Sequence, residues 1–184
     1  IFVEGFSVFV VDIAMGILAM LFNNQIMKYL DTSSLAVYGV IVNLSSLVQS
    51  LSYGVGQAAQ PIVSKAYGAG RTEDIRRVQR YGIVSAFVVG LLALAAAEAF
   101  PSAIIRGFMK TDSVVESIAP RILRIYALSF VLLPRNIFFT YFYQAIMKPA
   151  GALTISLVRG ICVSGLLIFI LPLIFGGEAL WWVM

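Results

Sequence analysis

No charged residue occurs between Thr32 and Ser64, and the polar residues inside that stretch are ordered rather than scattered. Asn43, Ser46, Ser50, Tyr53, Gln57 and Gln60 step by three or four, which lines them along one face of a helix. Gln49 stands beside that stripe. A helix crossing a hydrocarbon core of ~30 Å needs about 20 residues. The segment 35–66 therefore either overshoots the membrane or is irregular part-way. Gly54, Gly56 and Pro61 mark the expected helix break, because proline removes a backbone donor and crowds the carbonyl four residues earlier. In lipid such a break is tolerated where side chains, neighbouring helices or water re-satisfy the backbone, and Gln57 and Gln60 lie next to it. Interhelical hydrogen bonding, at about 0.6 kcal/mol per contact, is the plainer use of a polar stripe. Its length exceeds that need and points to the wall of a hydrated substrate cavity.

The same alternation of apolar runs and turns predicts spans at about 5–30, 35–66, 81–100, 117–147 and 150–175, with a further one opening at 180. The first is largely apolar, with Asp12 inside it and Asn23 and Asn24 near its far end. Asp12 lies roughly 10 Å from the start of its span at 1.5 Å per residue. A carboxylate at membrane depth costs several kcal/mol, roughly 3 on insertion scales, and normally faces the protein interior. A shallow, solvated position is the bland alternative. At the turn Asp31–Ser34, Ser33 or Ser34 is suited to cap the next helix. The third span is rich in small residues that let helices approach closely. After Pro101, the mixed segment 102–116 is compatible with a short interfacial helix. The fourth span is again too long for one straight crossing, with Pro134 near its middle and Arg135 and Asn136 directly after it. An intramembrane arginine needs a partner or water, and Asp12 is a candidate. Tyr141, Tyr143 and Gln144 continue the polar, aromatic character, suited either to stacking on flat cationic compounds or to an interfacial belt. Lys148-Pro149 reads as a turn, followed by a span that carries Arg159 and Cys162.

Composition narrows the class. The 184 residues are 60% hydrophobic and only 12% charged, against about 25% charged in soluble domains. The fold class is all-α: a polytopic membrane helical bundle in one unit, residues 1–184, with the lipid bilayer as its first partner. Thirteen basic residues against 9 acidic ones read as a topology signal rather than a nucleic-acid footprint. The absence of His removes the commonest catalytic base and zinc ligand. No catalytic pair or cofactor motif is visible, and no enzyme is expected. The segment Tyr67-Gly68-Ala69-Gly70-Arg71 lacks the ending that a phosphate-binding loop needs. The basic loop 68–80 is placed on the cytoplasmic side by its arginines. The turns at Asp31 and Glu178 then fall outside, together with the segment carrying Arg106 and Lys110, whose positive charge fits that side poorly. The chain opens on Ile1 and ends at Met184 inside apolar sequence, and both ends read as cuts in a longer polypeptide.

The string from Leu35 to Arg77 resembles the C-terminal half of the multidrug and toxic compound extrusion (MATE) family, nearest to its MepA-like branch. The features that carry the likeness are Asn24, Tyr38-Gly39, the element Gly56-Gln57-Ala58-Ala59-Gln60-Pro61, and Tyr67-Gly68-Ala69-Gly70. Tyr143-Gln144-Ala145-Ile146, Leu171-Pro172, Gly176-Gly177 and Trp181 add to it, so the resemblance covers essentially the whole chain. It implies the C-terminal lobe of a twelve-helix antiporter, working with an N-terminal half of the same chain in a bacterial or archaeal cell membrane. Such proteins export amphiphilic or cationic small molecules in exchange for Na⁺ or H⁺, without a cofactor. By that likeness Asp12 stands about where some members carry a coupling acid. Those members have a second acid where this chain reads Pro134-Arg135-Asn136, a departure that speaks against a two-acid Na⁺ site in this half and leaves coupling to the N-terminal half or to Asp12 alone as a proton site. The implied cavity residues are Asn24, Asn43, Gln49, Tyr53, Gln57, Gln60, Arg135, Asn136, Tyr141 and Gln144. A lipid-linked oligosaccharide flippase of the same superfamily and a non-transporting assembly subunit are the alternatives.

Overall fold

The structure, a computed structural model, describes residues 2–109, 113–147 and 163–183; within the first helix, the side chains described are those of Ile13 and of residues 16 onward. Helix α1 is Phe2–Tyr29, α2 Thr32–Gly68, α3 Thr72–Ala99, α4 Pro101–Phe108 and α5 Ser113–Ala127. A 3₁₀ turn, Leu128–Val131, leads into α6, Leu133–Ala145; α7 is Gly165–Phe175, and a 3₁₀ segment, Gly177–Trp182, follows. The chain is an all-α, polytopic membrane bundle. Among the described residues, α2, α3 and the composite Ser113–Ala145 are long and apolar enough to cross a membrane. The expected turn at Lys148-Pro149, Arg159, Cys162, Lys110 and Asp112 lie outside the described residues.

Helix α2 settles the choice between overshoot and interruption. It runs unbroken for 37 residues through Gly54, Gly56 and Pro61. The expected helix break is therefore corrected: the helix overshoots instead. Proline's fixed φ suits a helix, and its missing N–H deprives only the carbonyl of Gln57, an exposed position that other donors can reach.

Both ends of α2 are built differently from expectation. Asp31, not Ser33 or Ser34, is the N-cap: its carboxylate accepts from the Ser34 backbone N–H at 2.8 Å. A carboxylate at a helix N-terminus also meets the favourable end of the helix dipole. That backbone hydrogen bond from Ser34 leads the causes that hold the Asp31 carboxyl below its ordinary pKa. A group depressed on folding stabilises above its unfolded pKa, and the contribution disappears as pH falls through the folded value. Amide exchange in the first turn of α2 is thus expected to accelerate as pH is lowered into that window, and Asp31→Asn to remove most of this extra pH dependence. At the other end, the Arg71 N–H reaches the Ala66 carbonyl at 2.9 Å and the Gly70 N–H reaches that of Tyr67 at 3.1 Å. Gly70 sits at φ 68°. This is a Schellman cap, so Tyr67–Arg71 closes a helix. The charged run that reads as a loop over 68–80 is a short turn followed by the first turns of α3, which starts at Thr72.

The fourth span is divided, as its length and Pro134 imply. The 3₁₀ turn separates α5 from α6, and Pro134 sits in the first turn of α6, where its absent N–H is an orphan anyway. The segment after Pro101 forms the eight-residue α4. Gly177–Trp182 forms a 3₁₀ segment.

Lipid tails are as apolar as leucine, so the bundle is held by close packing rather than by escape from water. Two clusters do this. At one end Phe22 of α1 meets Tyr38 of α2 with ring centroids 4.7 Å apart, and Trp181 at 6.4 Å. Leu123, Phe130 and Ile168 are buried in the same cluster. Toward the other end Ala59, Val63, Ala86, Phe138 and Phe142 join α2, α3 and α6. The buried face of α3 is Gly82, Ala86, Gly90 and Ala97. Small residues there let Phe138 cover Gly82 and the backbone of the 3₁₀ turn cover Gly90.

Candidate functional site

Helix α2 carries three lengthwise strips. Ile41, Ser45, Val48, Ser52, Gly56 and Ala59 are buried against the bundle. Leu47, Leu51 and Ile62 are exposed and apolar. Asn43, Ser46, Ser50, Tyr53 and Gln57 are exposed and polar, with Gln60 half-buried at the end of their row. The polar stripe of the sequence is therefore largely exposed among the described residues. The interior contact on α2 is a different residue, Ser45, whose hydroxyl lies 3.2 Å from that of Tyr126.

The stripe meets α6 at one place. Gln57 donates from Nε2 to the Tyr141 hydroxyl at 3.4 Å, and the Tyr53 hydroxyl donates to Gln49 Oε1 at 3.4 Å. The Tyr53 and Tyr141 rings stand edge to face at 6.1 Å. Gly56 lies beneath Tyr141: a Cβ there would fall 2.5 Å from the ring. Its use is this close approach, not a break. The structure thus brings together Gln49, Tyr53, Gln57 and Tyr141, with Gly56 as their floor. Hydrogen bonds of 3.4 Å are long and weak, so water or a solute displaces them at little cost.

Elsewhere the donors of the stripe are already engaged. Asn43 Nδ2 donates to the Gly39 carbonyl at 3.0 Å, Ser46 to Val42 at 2.9 Å and Ser50 to Ser46 at 2.8 Å. Back-bonding of this kind satisfies a hydroxyl inside its own helix. The hydroxyl and amide oxygens along the strip stay available as acceptors, and the strip carries no formal charge. It suits a solute that brings its own donors or positive charge.

The remaining expected residues are more dispersed. Asn24 is exposed on α1, and the contacts that join α2 to α6 do not include it. Arg135 is exposed, with its guanidinium 5.7 Å from the centroid of the Phe139 ring. The backbone carbonyl of Asn136 accepts from Thr140 Oγ1 at 3.1 Å. Gln144 is exposed at the end of α6. Tyr143 parts from Tyr141 and packs on Phe139 and Phe142. Asp12 lies on α1, with its side chain outside the described residues. One residue escapes a reading by sequence: Gln25, next to Asn24, has a buried Oε1 without a hydrogen-bond partner among the described residues. A glutamine beside two asparagines carries no pattern that separates it from them.

The family model MatE matches residues 8–170. The chain belongs to the MatE family. Over 184 residues, 99% of its length, this MatE chain is 24% identical to the multidrug export protein MepA of Staphylococcus aureus (strain bovine RF122 / ET3-1), and it covers 40% of that protein. Its fold matches an outward-facing multidrug resistance MATE transporter of the MOP superfamily with a TM-score of 0.88, at 19% identity over 97% of this chain and 40% of the other. A MOP superfamily transporter from Pyrococcus furiosus, described as having a binding pocket of reverse polarity, matches with the same score, identity and coverage. This MatE chain therefore spans about 40% of the length of the relatives it matches.

Proposed function

We propose that this chain forms one lobe of a secondary antiporter that exports amphiphilic or cationic small molecules by alternating access, driven by Na⁺ or H⁺. The observation that carries the reading is the exposed polar strip of α2, capped by the Tyr53–Tyr141 pair and separated from an apolar strip on the same helix. A lobe facing lipid on every side has no use for a strip rich in acceptors. A lobe facing a second lobe across water does. The family and the name of the S. aureus relative support the substrate class. Tyr53 and Tyr141 offer ring faces to a cation, and Asn43, Ser46 and Ser50 offer oxygens to its donors. Asp12, by its position on α1, is the proposed coupling group. An ion moves the equilibrium between inward-open and outward-open states only through unequal affinity for the two, and a carboxylate that is wet in one state and dry in the other supplies that inequality.

The test is efflux by the full-length protein in everted vesicles under an imposed Na⁺ or pH gradient, with a fluorescent organic cation as substrate. Gln57→Leu combined with Gln60→Leu is expected to slow the initial rate roughly tenfold, equivalent to about 1.4 kcal/mol. The lost contact to Tyr141 costs stability only about 0.6 kcal/mol. Asp12→Asn is expected to abolish the response to the gradient. Gradient-independent efflux in the parent removes antiport, and unchanged transport by Asp12→Asn at every pH removes Asp12 from the mechanism.

A further inference from the structure

The exposed stripe on the first half of α3 is a second feature that the efflux reading does not use. Arg76, Arg77, Arg80, Tyr81 and Val84 line an open cavity of about 650 Å³, and Gln79 and Ile83 extend it. Beyond Val84 the same face continues through Phe87, Val88 and Leu91, all exposed. The stripe thus changes along α3 from cationic, through an aromatic ring, to apolar.

The arginines carry no ion pair among the described residues. Arg76 and Arg80 are one helical turn apart, and like charges at that spacing repel. Asp74, the nearest acid with a recorded pair, is taken by Arg71 at 3.1 Å. Glu73, exposed in the first turn, is the other acid of this segment. Among the described residues no ion pair engages Arg76, Arg77 or Arg80. At the opposite end of the bundle the arrangement is reversed: Arg106 pairs with Glu116 at 2.7 Å, Arg121 with Glu178 at 2.9 Å and Arg124 with Glu98 at 3.4 Å. Among the described residues, Arg106, Arg121 and Arg124 are paired, whereas Arg76, Arg77 and Arg80 are not. Folding alone gains nothing from three neighbouring bare guanidinium groups.

We infer that this stripe is a binding site for an anionic phospholipid of the adjoining leaflet. Its phosphate lies among Arg76, Arg77 and Arg80, Tyr81 stands at the headgroup level, and an acyl chain runs along Val84, Phe87 and Leu91. Guanidinium groups match phosphate oxygens in a planar, bidentate geometry, and aromatic rings concentrate at the membrane–water interface. Charge fixes the headgroup end of the occupant, and the apolar continuation fixes its other end. A free anion satisfies only the first.

The experiment uses the full-length protein, delipidated in neutral detergent, with its unfolding temperature read against added lipid. Phosphatidylglycerol is expected to raise it, whereas phosphatidylcholine with the same acyl chains and inorganic phosphate are expected to have little effect. Each arginine replaced by glutamine is expected to weaken the apparent affinity for phosphatidylglycerol roughly fivefold, and all three together roughly 100-fold. The triple Arg→Lys variant is expected to keep most of the effect. Where the triple glutamine variant does not fold, Arg80→Gln alone and the lipids retained by the parent in native mass spectrometry decide. Equal stabilisation by both lipids, an unshifted glutamine variant, or a phosphate effect equal to that of the lipid overturns the proposal. Stabilisation that follows protein concentration rather than lipid assigns the face to a second copy and overturns it as well.

Discussion

Gly90→Val is expected to destabilise the full-length protein by about 3 kcal/mol, at the upper end of the usual cost of overpacking. The reason lies in what faces position 90. A Cβ there would fall 2.5 Å from the Phe130 carbonyl oxygen and 3.1 Å from the Val131 Cα. Both are backbone atoms of the 3₁₀ turn between α5 and α6, so no side-chain rotation relieves the clash. Either α3 moves away from the fourth span or the turn is rebuilt. Gly54→Ala is the control: nothing lies within 4 Å of its Cβ position, and alanine in a helix interior is favoured over glycine by about 1 kcal/mol. Thermal or denaturant unfolding in detergent is expected to show loss for the first and a small gain for the second. Equal stability for Gly90→Val and the parent would mean that α3 and the 3₁₀ turn do not pack in this way.

The parts of the fold that follow from local pattern are readable in the chain. The uncharged run from Thr32 to Ser64 announces a membrane helix, and the three-to-four spacing of its polar residues marks the strip that the structure leaves exposed. The length of the fourth span and Pro134 together foretell its division. What depends on distant partners is not readable. The charges from Arg71 to Arg80 look like loop composition, because nothing local shows that they begin a helix after a Schellman turn. Asp31 outcompetes Ser33 and Ser34 as the cap because the helix starts immediately after it. Gly56 and Pro61 look alike as breakers. Yet one makes room for Tyr141, distant in sequence, and the other is simply tolerated. The gathering of Gln49, Tyr53, Gln57 and Tyr141 needs the α2–α6 pairing, which no single-helix periodicity contains. Nor does periodicity tell which of Tyr141 and Tyr143 faces the stripe.

The proposed function makes the polar strip of α2 a wetted wall, set apart from the exposed apolar strip of Leu47, Leu51 and Ile62 on the same helix. This predicts a second large effect, a periodic one. In a cysteine-free full-length background with Cys162 replaced, single cysteines are placed along α2 and their labelling by a membrane-impermeant thiol reagent is timed. A thiol against lipid or in a packed core is held protonated and unreactive. Cysteines at Asn43, Ser46, Ser50 and Gln57 are expected to label roughly tenfold faster or more than those at Leu47, Leu51 and Ile62, since thiolate fraction and access both fall in apolar surroundings. Cysteines at the buried positions Ser45, Ser52 and Ala59 are expected to be slowest. A saturating organic cation is expected to protect the first group alone. Fast labelling at Leu47, Leu51 and Ile62 with silence at Asn43, Ser46, Ser50 and Gln57 would contradict the cavity wall outright.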